Sequence, residues 1–246
     1  TKSGELILTA ELTGESATKV YDGNPLTGGA TANVKEGTTI TYSTDSGATW
    51  TTEVPSITNV GTLNITARAE NPNYEPAETT YSLTVTTAEV TVTAENKTKV
   101  YGTADPELTA TVSGTLNNDT VDYTVTRDPG EDVGKYAIHV TGDEDQGNYH
   151  VTYTAGEFEI TKSGELILTA ELTGESATKV YDGNPLTGGA TANVKEGTTI
   201  TYSTDSGATW TTEVPSITNV GTLNITARAE NPNYEPAETT YSLTVT

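Results

Sequence analysis

Apolar and polar residues alternate in short runs along the whole chain, with the period of two that marks a pleated strand carrying one buried face. Near the start, Leu6, Leu8, Ala10 and Leu12 share one parity, while Ile7, Thr9 and Glu11 share the other. Leu63, Ile65, Ala67 and Ala69 alternate with Asn64, Thr66, Arg68 and Glu70, and Tyr81, Leu83 and Val85 alternate with Thr and Ser. The same pattern appears at Val90 and Val92, at Tyr136, Ile138 and Val140, and at Tyr149, Val151 and Tyr153. Turn-forming clusters separate the runs: Asp22-Gly23-Asn24-Pro25, Lys35-Glu36-Gly37, Asp45-Ser46-Gly47, Asn71-Pro72-Asn73 and Asp128-Pro129-Gly130. No segment holds a helical period. The pattern predicts many short antiparallel strands, each with a dry and a wet face.

Repetition divides the chain. Residues 1–86 recur letter for letter as residues 161–246, and residues 87–160 lie between the copies. The intervening segment shares landmarks with them in the same order. Lys19-Val20-Tyr21-Asp22-Gly23 is matched by Lys99-Val100-Tyr101-Gly102, Asn59-Val60-Gly61 by Asp132-Val133-Gly134, and Asn73-Tyr74 by Asn148-Tyr149. This predicts three modules of one fold, A (1–86), B (87–160) and A again (161–246). The expected fold is all-β, with three tandem antiparallel β-sandwich modules of Ig-like type. A β-grasp-like module is the alternative, and it requires a helix. The segment between Thr86 and Glu89, like that between Ile160 and Glu165, holds no long Gly/Ser or Pro run. Short junctions predict a stiff elongated rod, on the order of 100–120 Å for three modules built from strands of this length.

Composition narrows the function classes. The 246 residues include no Cys, so disulfides, catalytic thiols and thiolate metal sites are excluded. Phe occurs once, at Phe158, which leaves aromatic packing to 13 Tyr and two Trp. The formal net charge is −22, and each segment is acidic: −6 for each A and −10 for B. Such a surface repels phosphate backbones and anionic lipid, so neither nucleic acid nor membrane insertion is expected. No run approaches the roughly 18 apolar residues of a membrane span. The absence of Met predicts an internal fragment of a longer repeat array.

Candidate chemistry is sparse. Ser43-Thr44-Asp45-Ser46-Gly47-Ala48-Thr49-Trp50, repeated at Ser203, Asp205, Gly207 and Trp210, resembles the Asp-box hairpin of sialidases and many unrelated β proteins. In that hairpin an Asp caps a tight turn, Gly takes the positive φ, and Trp packs beneath. A sialidase site resembles a cluster of three Arg; each A holds one, Arg68 or Arg228, so the resemblance extends to the hairpin alone. Trp50 and Trp210 are expected in the core, sharing parity with Val54 and facing Ile40 and Tyr42. The competing role is sugar stacking, with Trp50, Trp210, Tyr42 and Tyr74 as the candidate binding aromatics. Asp143-Glu144-Asp145-Gln146 lacks the spaced ligand pattern of a calcium loop and is expected to be a solvated turn. His139 and His150 fall on polar faces and are expected to be exposed without a catalytic partner. The closing strands at 79–86 and 157–161 carry no Asn, which argues against Lys–Asn isopeptide bonds. No cofactor and no metal site is predicted.

The Lys-Val-Tyr-Asp-Gly and Lys-Val-Tyr-Gly openings, the (Asn/Asp)-Val-Gly strands and the Asn-Tyr turns resemble repeat modules of bacterial adhesins. B is similar to the MBG domain of YGX type; A is similar to YDG-type and Ig-like repeats of Gram-positive surface proteins. The resemblance implies a non-enzymatic, extracellular protein anchored to a Gram-positive cell wall. Within it, a monomeric array of such modules acts as a stalk that extends a distal binding head. The alternative it leaves open is that the modules themselves bind host mucin or glycans.

Overall fold

The computed structural model describes residues 1–12, 18–164, 171–174 and 176–246, and for Ala10, Glu11 and Leu12 the backbone only. The side-chain alternation expected for Ala10 and Leu12, and the strand expected from Glu165, lie outside the described residues.

Among the described residues, the first A copy contributes seven strands: β1 (Leu8–Leu12), β2 (Thr18–Val20), β3 (Leu26–Ala32), β4 (Thr39–Ser43), β5 (Ser56–Ile57), β6 (Gly61–Asn71) and β7 (Tyr74–Thr86). B contributes eight: β8 (Ala88–Ala94), β9 (Lys97–Val100), β10 (Ala110–Ser113), β11 (Thr124–Arg127), β12 (Gly134–Thr141), β13 (Asp145–Gln146), β14 (Tyr149–Thr154) and β15 (Gly156–Thr161). The second A copy follows with β16 (Leu172–Gly174), β17 (Ala177–Lys179), β18 (Leu186–Thr187), β19 (Ala190–Ala192), β20 (Thr199–Ser203), β21 (Ser216–Ile217), β22 (Gly221–Asn231) and β23 (Tyr234–Val245). The chain is all-β, and no helix occurs among the described residues, so the element a β-grasp module requires is not found there.

The backbone divides into two compact units. One comprises Thr1–Ala94, Ala110–Val125 and Val140–Ala155; the other comprises Glu95–Thr109, Thr126–His139 and Gly156–Thr246. The boundary runs through B, so the first A–B junction lies inside one unit and the B–A junction inside the other.

Within the first unit, the A copy builds a four-stranded sheet ordered β2-β7-β6-β4 and a three-stranded sheet ordered β1-β3-β5. The long β6–β7 hairpin is antiparallel, with Leu63 opposite Leu83 and Ile65 opposite Tyr81. Its predicted alternation is the observed one: Ile65, Ala67, Ala69, Leu83 and Val85 are buried. β2 joins β7 in parallel, Thr18 opposite Thr84, a pairing that alternation cannot reveal because both directions leave the same faces dry. B repeats the device, with β14 parallel to β8 and β15 parallel to β9.

Two tyrosine hydroxyls tie the A sheets together. Tyr42, on β4, accepts from the Ala30 N–H at 3.0 Å, and Tyr81, on β7, donates to the Gly28 carbonyl at 2.8 Å. Both reach β3, whose sequence Leu-Thr-Gly-Gly-Ala-Thr-Ala leaves room for the rings; a Cβ on Gly29 would sit 3.2 Å from the Tyr42 hydroxyl. Burial, with Tyr42 close by, pushes the Tyr81 hydroxyl up to about 12. A satellite cluster of Leu6, Ala32, Ala69 and Ala77, flanked by Leu8, Val34, Ile40 and Tyr74, closes the end of the A copy nearest the Asn-Tyr turn.

The two A copies differ in one respect that their shared sequence does not dictate. In the first, Leu8 lies opposite Ala32; in the second, Leu172, the counterpart of Leu12, lies opposite Ala192, the counterpart of Ala32. The slip is four residues. An even slip returns the same parity to the core, so the run Leu-x-Leu-x-Ala-x-Leu specifies a face without fixing a unique register.

Leu83→Ala should cost about 2–5 kcal/mol by opening a cavity at a fully buried site. The loss is to be read as a lowered urea midpoint for one A copy while the other keeps its own. Ile7→Ala, at a position 65% exposed, should leave the midpoint nearly unchanged.

Candidate functional site

Three groups of polar side chains stand out from the strand framework. They are the Asp-box hairpins, a buried cation cluster in B, and the residues that meet where one repeat follows another.

In the hairpin, Ser43 Oγ donates to Asp45 Oδ1 at 2.7 Å and accepts from the Gly47 N–H at 2.8 Å. Asp45 also accepts from the Thr49 N–H at 2.9 Å and from Thr49 Oγ1 at 2.6 Å. Ser46 and Gly47 both take positive φ, 60° and 90°. These bonds, Thr49's first, hold the Asp45 carboxyl down to about 2, and those of Thr209 do the same for Asp205. The aspartate is committed to its own turn.

The expectation of a core Trp is corrected. Trp50 is 36% exposed, its Nε1–H donating to the Gly47 carbonyl at 3.1 Å, and Val54 is exposed as well. Consecutive left-handed residues at 46 and 47 break the strand before Trp50, so parity counted through the turn does not carry over. Trp210 repeats this hydrogen bond, and the Arg228 guanidinium lies 4.6 Å from its ring centroid. Tyr42 is corrected as a binding aromatic: it is buried and bonded to β3. Tyr74 is half-buried against the Leu6 cluster. Within the first A copy, Trp50, Tyr42 and Tyr74 therefore form no common platform.

In B, Lys99 is buried and held by Asp105 at 2.7 Å and by Glu131. Arg127 binds the same two carboxylates at 2.6 and 2.7 Å, and its guanidinium lies 4.7 Å from the Phe158 ring centroid. Hydrogen bonds from Arg127 and then Lys99 hold the Asp105 carboxyl down to about 2, and its partners raise Lys99 in turn. The shared hydrogen bonds favour the charged form of both partners. Charge alternation at 99, 105, 127 and 131 was the available sequence signal, spread over 33 residues.

His139 is exposed and His150 half-buried, and each meets a single carboxylate: His139 meets Asp128 at 2.8 Å and His150 meets Asp145 at 3.1 Å. The Asp145 hydrogen bond raises the His150 pKa above its ordinary value. Among the described residues no group of three or more His, Asp or Glu is arranged to hold a metal. At Asp143-Glu144-Asp145-Gln146, the Gln146 amide donates to the carbonyls of Asp122 and Asp143 and to the Tyr153 hydroxyl, closing the turn on itself.

The shared landmark motifs converge at the repeat junctions. At the first, the Val60 N–H donates to Asn148 Oδ1 at 2.9 Å, and Asn148 Nδ2 donates to Asn59 Oδ1 at 3.2 Å. Tyr21 and Tyr149 meet edge to face, centroids 5.6 Å apart at 89°. At the second, the Val133 N–H donates to Asn233 Oδ1 at 2.8 Å, Asn233 Nδ2 donates to Asp132 Oδ1 at 2.9 Å, and Tyr101 meets Tyr234 at 5.4 Å and 73°. Each joint thus sets the Tyr and the (Asn/Asp)-Val of one repeat against the Asn-Tyr of the next.

The connecting chain is pinned on both sides. Tyr21 N–H donates to the Thr86 carbonyl and Ala88 N–H to the Asn148 carbonyl, leaving Thr87 alone between them. Tyr101 N–H donates to the Thr161 carbonyl and Ser163 N–H to the Asn233 carbonyl, leaving Lys162 alone. The motif's Lys steadies the loop beside the joint: Lys19 binds Asp22 at 2.6 Å and the Asn24 carbonyl at 2.5 Å. B lacks that Asp, and Lys99 uses Asp105 instead. Two hydrogen bonds and an aromatic edge contact contribute about 3 kcal/mol per joint.

Residues 90–159 match the family model described as MBG domain (YGX type), which takes in nearly all of B and neither A copy. No curated protein matches the chain. Among solved structures, the chain is similar to one described as a 1.5-MDa bacterial ice-binding adhesin studied for host cell surface retention, at 13% identity, covering 100% of this chain and 99% of that one, with a TM-score of 0.39. It is also similar to a tetra-tandem repeat in the extending region of a large adhesion protein, at 14% identity, covering 97% and 74%, TM-score 0.37. A third is the Drosophila OTK extracellular domains 3–5, at 9% identity, covering 96% and 97%, TM-score 0.32.

Two outcomes follow from these geometries. Asp45 and Asp205 should titrate together near about 2 by carboxyl-carbon NMR. Their folded pKa is depressed, so their contribution to stability is present above the ordinary value near 3.8 and is lost as pH falls toward 2. Ser163 is fully buried, and its hydroxyl has no hydrogen-bond partner among the described residues, whereas B carries Ala88 at the matching place. Ser163→Ala should therefore raise the urea unfolding free energy by on the order of 1 kcal/mol.

Proposed function

We propose that the chain is a non-catalytic spacer from a bacterial cell-surface adhesin, three modules (1–86, 87–160 and 161–246) that hold a distal binding head away from the cell wall. The observation that carries this reading is the joint. The same three contacts recur at both junctions, and a single unpinned residue separates the fixed ends of the chain each time. A tether needs this: orientation set anew at every junction by the same small contact, so that stiffness accumulates with repeat number. The acidic surface keeps such an array soluble and apart from neighbouring arrays. The match of residues 90–159 to the MBG domain supports the adhesin setting and the extracellular location.

A second reading, that the A copies bind host mucin or glycan, is favoured by the exposed face of Trp50. It has to contend with an indole already bonded to its own hairpin and with Tyr42 in the core.

The chain has no Cys, so Asn64→Cys and Asn224→Cys place one spin label on each A copy at matching exposed positions. A single narrow distance distribution is expected, broadened when Asn148→Ala and Asn233→Ala are added. A distribution already broad in the otherwise unaltered chain would sink the spacer. Saturable binding to a mucin and glycan panel, lost in a folded Trp50→Ala/Trp210→Ala variant, would move the function to the second reading.

A further inference from the structure

The two A copies share one sequence, yet they hold one arginine in two places. On the outer face of each four-stranded sheet, cross-strand register sets Thr41, Arg68 and Glu78 in a row in the first copy, and Thr201, Arg228 and Glu238 in the second. The hairpin Trp stands at the end of this row, because the residue after it, Thr51 or Thr211, exchanges backbone hydrogen bonds with Tyr42 or Tyr202 on the edge strand. In the second copy the Arg228 guanidinium lies 4.6 Å from the Trp210 ring centroid, its Nε–H donates to Glu238 at 2.6 Å, and the indole is half-buried. In the first copy Arg68 instead pairs with Glu70 at 3.0 Å. Glu78 is then 3.7 Å from Arg68 Nε, which has no hydrogen-bond partner among the described residues. Among those residues no cation lies over Trp50, and its ring is exposed.

We propose that the Trp50 and Trp210 faces are capture sites for an arginine side chain of a basic partner protein, with Arg68 and Arg228 as the built-in competitors that cover them. The chemistry of the site is displayed by its own occupant: in the second copy a guanidinium lies against the indole with a carboxylate at its edge. The negative face of an indole attracts a cation, and the planar guanidinium fork suits a carboxylate. When Arg68 pairs with Glu70, an open indole and the Glu78 carboxylate remain. Two carboxylates set against one guanidinium leave the site a formal negative charge, which a second cation neutralises. The net charge of −22 draws a basic partner toward the chain and repels an anionic one. Both copies carry the same residues, so both arrangements are open to each, and one chain takes two such side chains.

The covered arrangement satisfies the Arg Nε–H and the open one does not, so a partner competes with the protein's own side chain. One cation–π contact and one exposed ion pair are each weak in water, so a single captured arginine binds on the order of millimolar. Salt weakens the capture by screening it. The joint contacts use Tyr21, Tyr101, Asn148 and Asn233, none of them in this row, so the proposal stands apart from the spacer reading. It shares the indole with the glycan reading, from which the charge of the ligand separates it.

The test is titration of the full chain with a blocked tri-arginine peptide at low and high salt, beside its neutral tri-citrulline counterpart, followed through the indole N–H signals of Trp50 and Trp210. These are the two Trp of the chain, so the signals report on the sites themselves. The expected result is a saturable shift with the arginine peptide, weakened several-fold by salt, and none with the citrulline peptide. Arg68→Gln/Arg228→Gln should tighten binding several-fold, because the competitor is gone. Glu78→Gln/Glu238→Gln should weaken it several-fold. Glu36→Gln/Glu196→Gln, which removes the same charge from exposed turns before β4 and β20, should leave it nearly unchanged. An equal shift from the citrulline peptide, no tightening in the Arg variant, or equal weakening by both Glu pairs would overturn the proposal. So would an unmoved indole in both the unaltered chain and the Arg variant. A shift with methyl glycosides of neutral hexoses and none with the arginine peptide overturns it in favour of the glycan reading. The spin-label distances do not depend on any of these results, so failure here leaves the spacer standing.

Discussion

One asparagine side chain per junction does what the strands cannot. Asn148 and Asn233 each accept from a backbone N–H of the preceding repeat with their oxygen and donate back to it with their nitrogen. An amide carries one acceptor and two donors on a short, stiff stem, and here it fixes both distance and rotation against a neighbouring strand end. The tyrosine next in sequence then fills the space beside it, and its own hydroxyl is used: Tyr149 donates to Asp119 at 2.7 Å and accepts from the Leu116 N–H at 3.0 Å. Burial leads in raising that hydroxyl's pKa, with the Asp119 bond adding to it. The joint is small and polar, which suits a contact that has to specify orientation more than affinity.

The repeat interiors face a different constraint, a shortage of large apolar side chains. With one Phe and no Met, the A core is closed by Ala, Leu, Val and Ile from β6 and β7 and by tyrosines that cross between sheets. A tyrosine buried in this way needs a partner for its hydroxyl, and β3 supplies backbone groups at Ala30 and Gly28. Gly29 in that strand therefore leaves clearance for the Tyr42 hydroxyl, which explains why so weak a strand former sits there. In B the missing apolar bulk is met by a charged cluster laid against Phe158, where Arg127 and Lys99 share two carboxylates. Only the two cations are buried; Asp105 and Glu131 stay partly in solvent, so it is the loss of both carboxylates that would leave buried positive charge unpaired.

Much of this was legible in the order of residues, and the parts that were not share a cause. The long β6–β7 hairpin, β8 and β12 could be read from parity, because in a continuous strand the face of each side chain follows from counting. Counting failed at Trp50, where Ser46 and Gly47 turn left-handed and reset the parity. It was silent on the parallel pairs, since direction does not alter which face is dry. The motifs Lys-Val-Tyr, Val-Gly and Asn-Tyr were visible as landmarks, yet within one repeat they look like unrelated turns. Their purpose appears only between repeats, where Val60 meets Asn148 and Val133 meets Asn233. No local pattern encodes a partner 88 or 100 residues away.

Identical copies in one chain also separate what a sequence specifies from what its neighbours impose. Where the A copies agree, as in the Ser-Asp-Gly-Thr-Trp hairpin with hydrogen bonds of nearly equal length in both, the geometry is a local property of eight residues. Where they differ, the cause lies outside the copy or in a pattern that admits two answers. Tyr21 and Tyr181 differ because Tyr149 covers one of them. The first strand differs because an even slip satisfies the same core face twice. A module that tolerates such a slip at its opening strand relies on the rest of its sheet, and on the joint pinned beside β7, to stay in one arrangement.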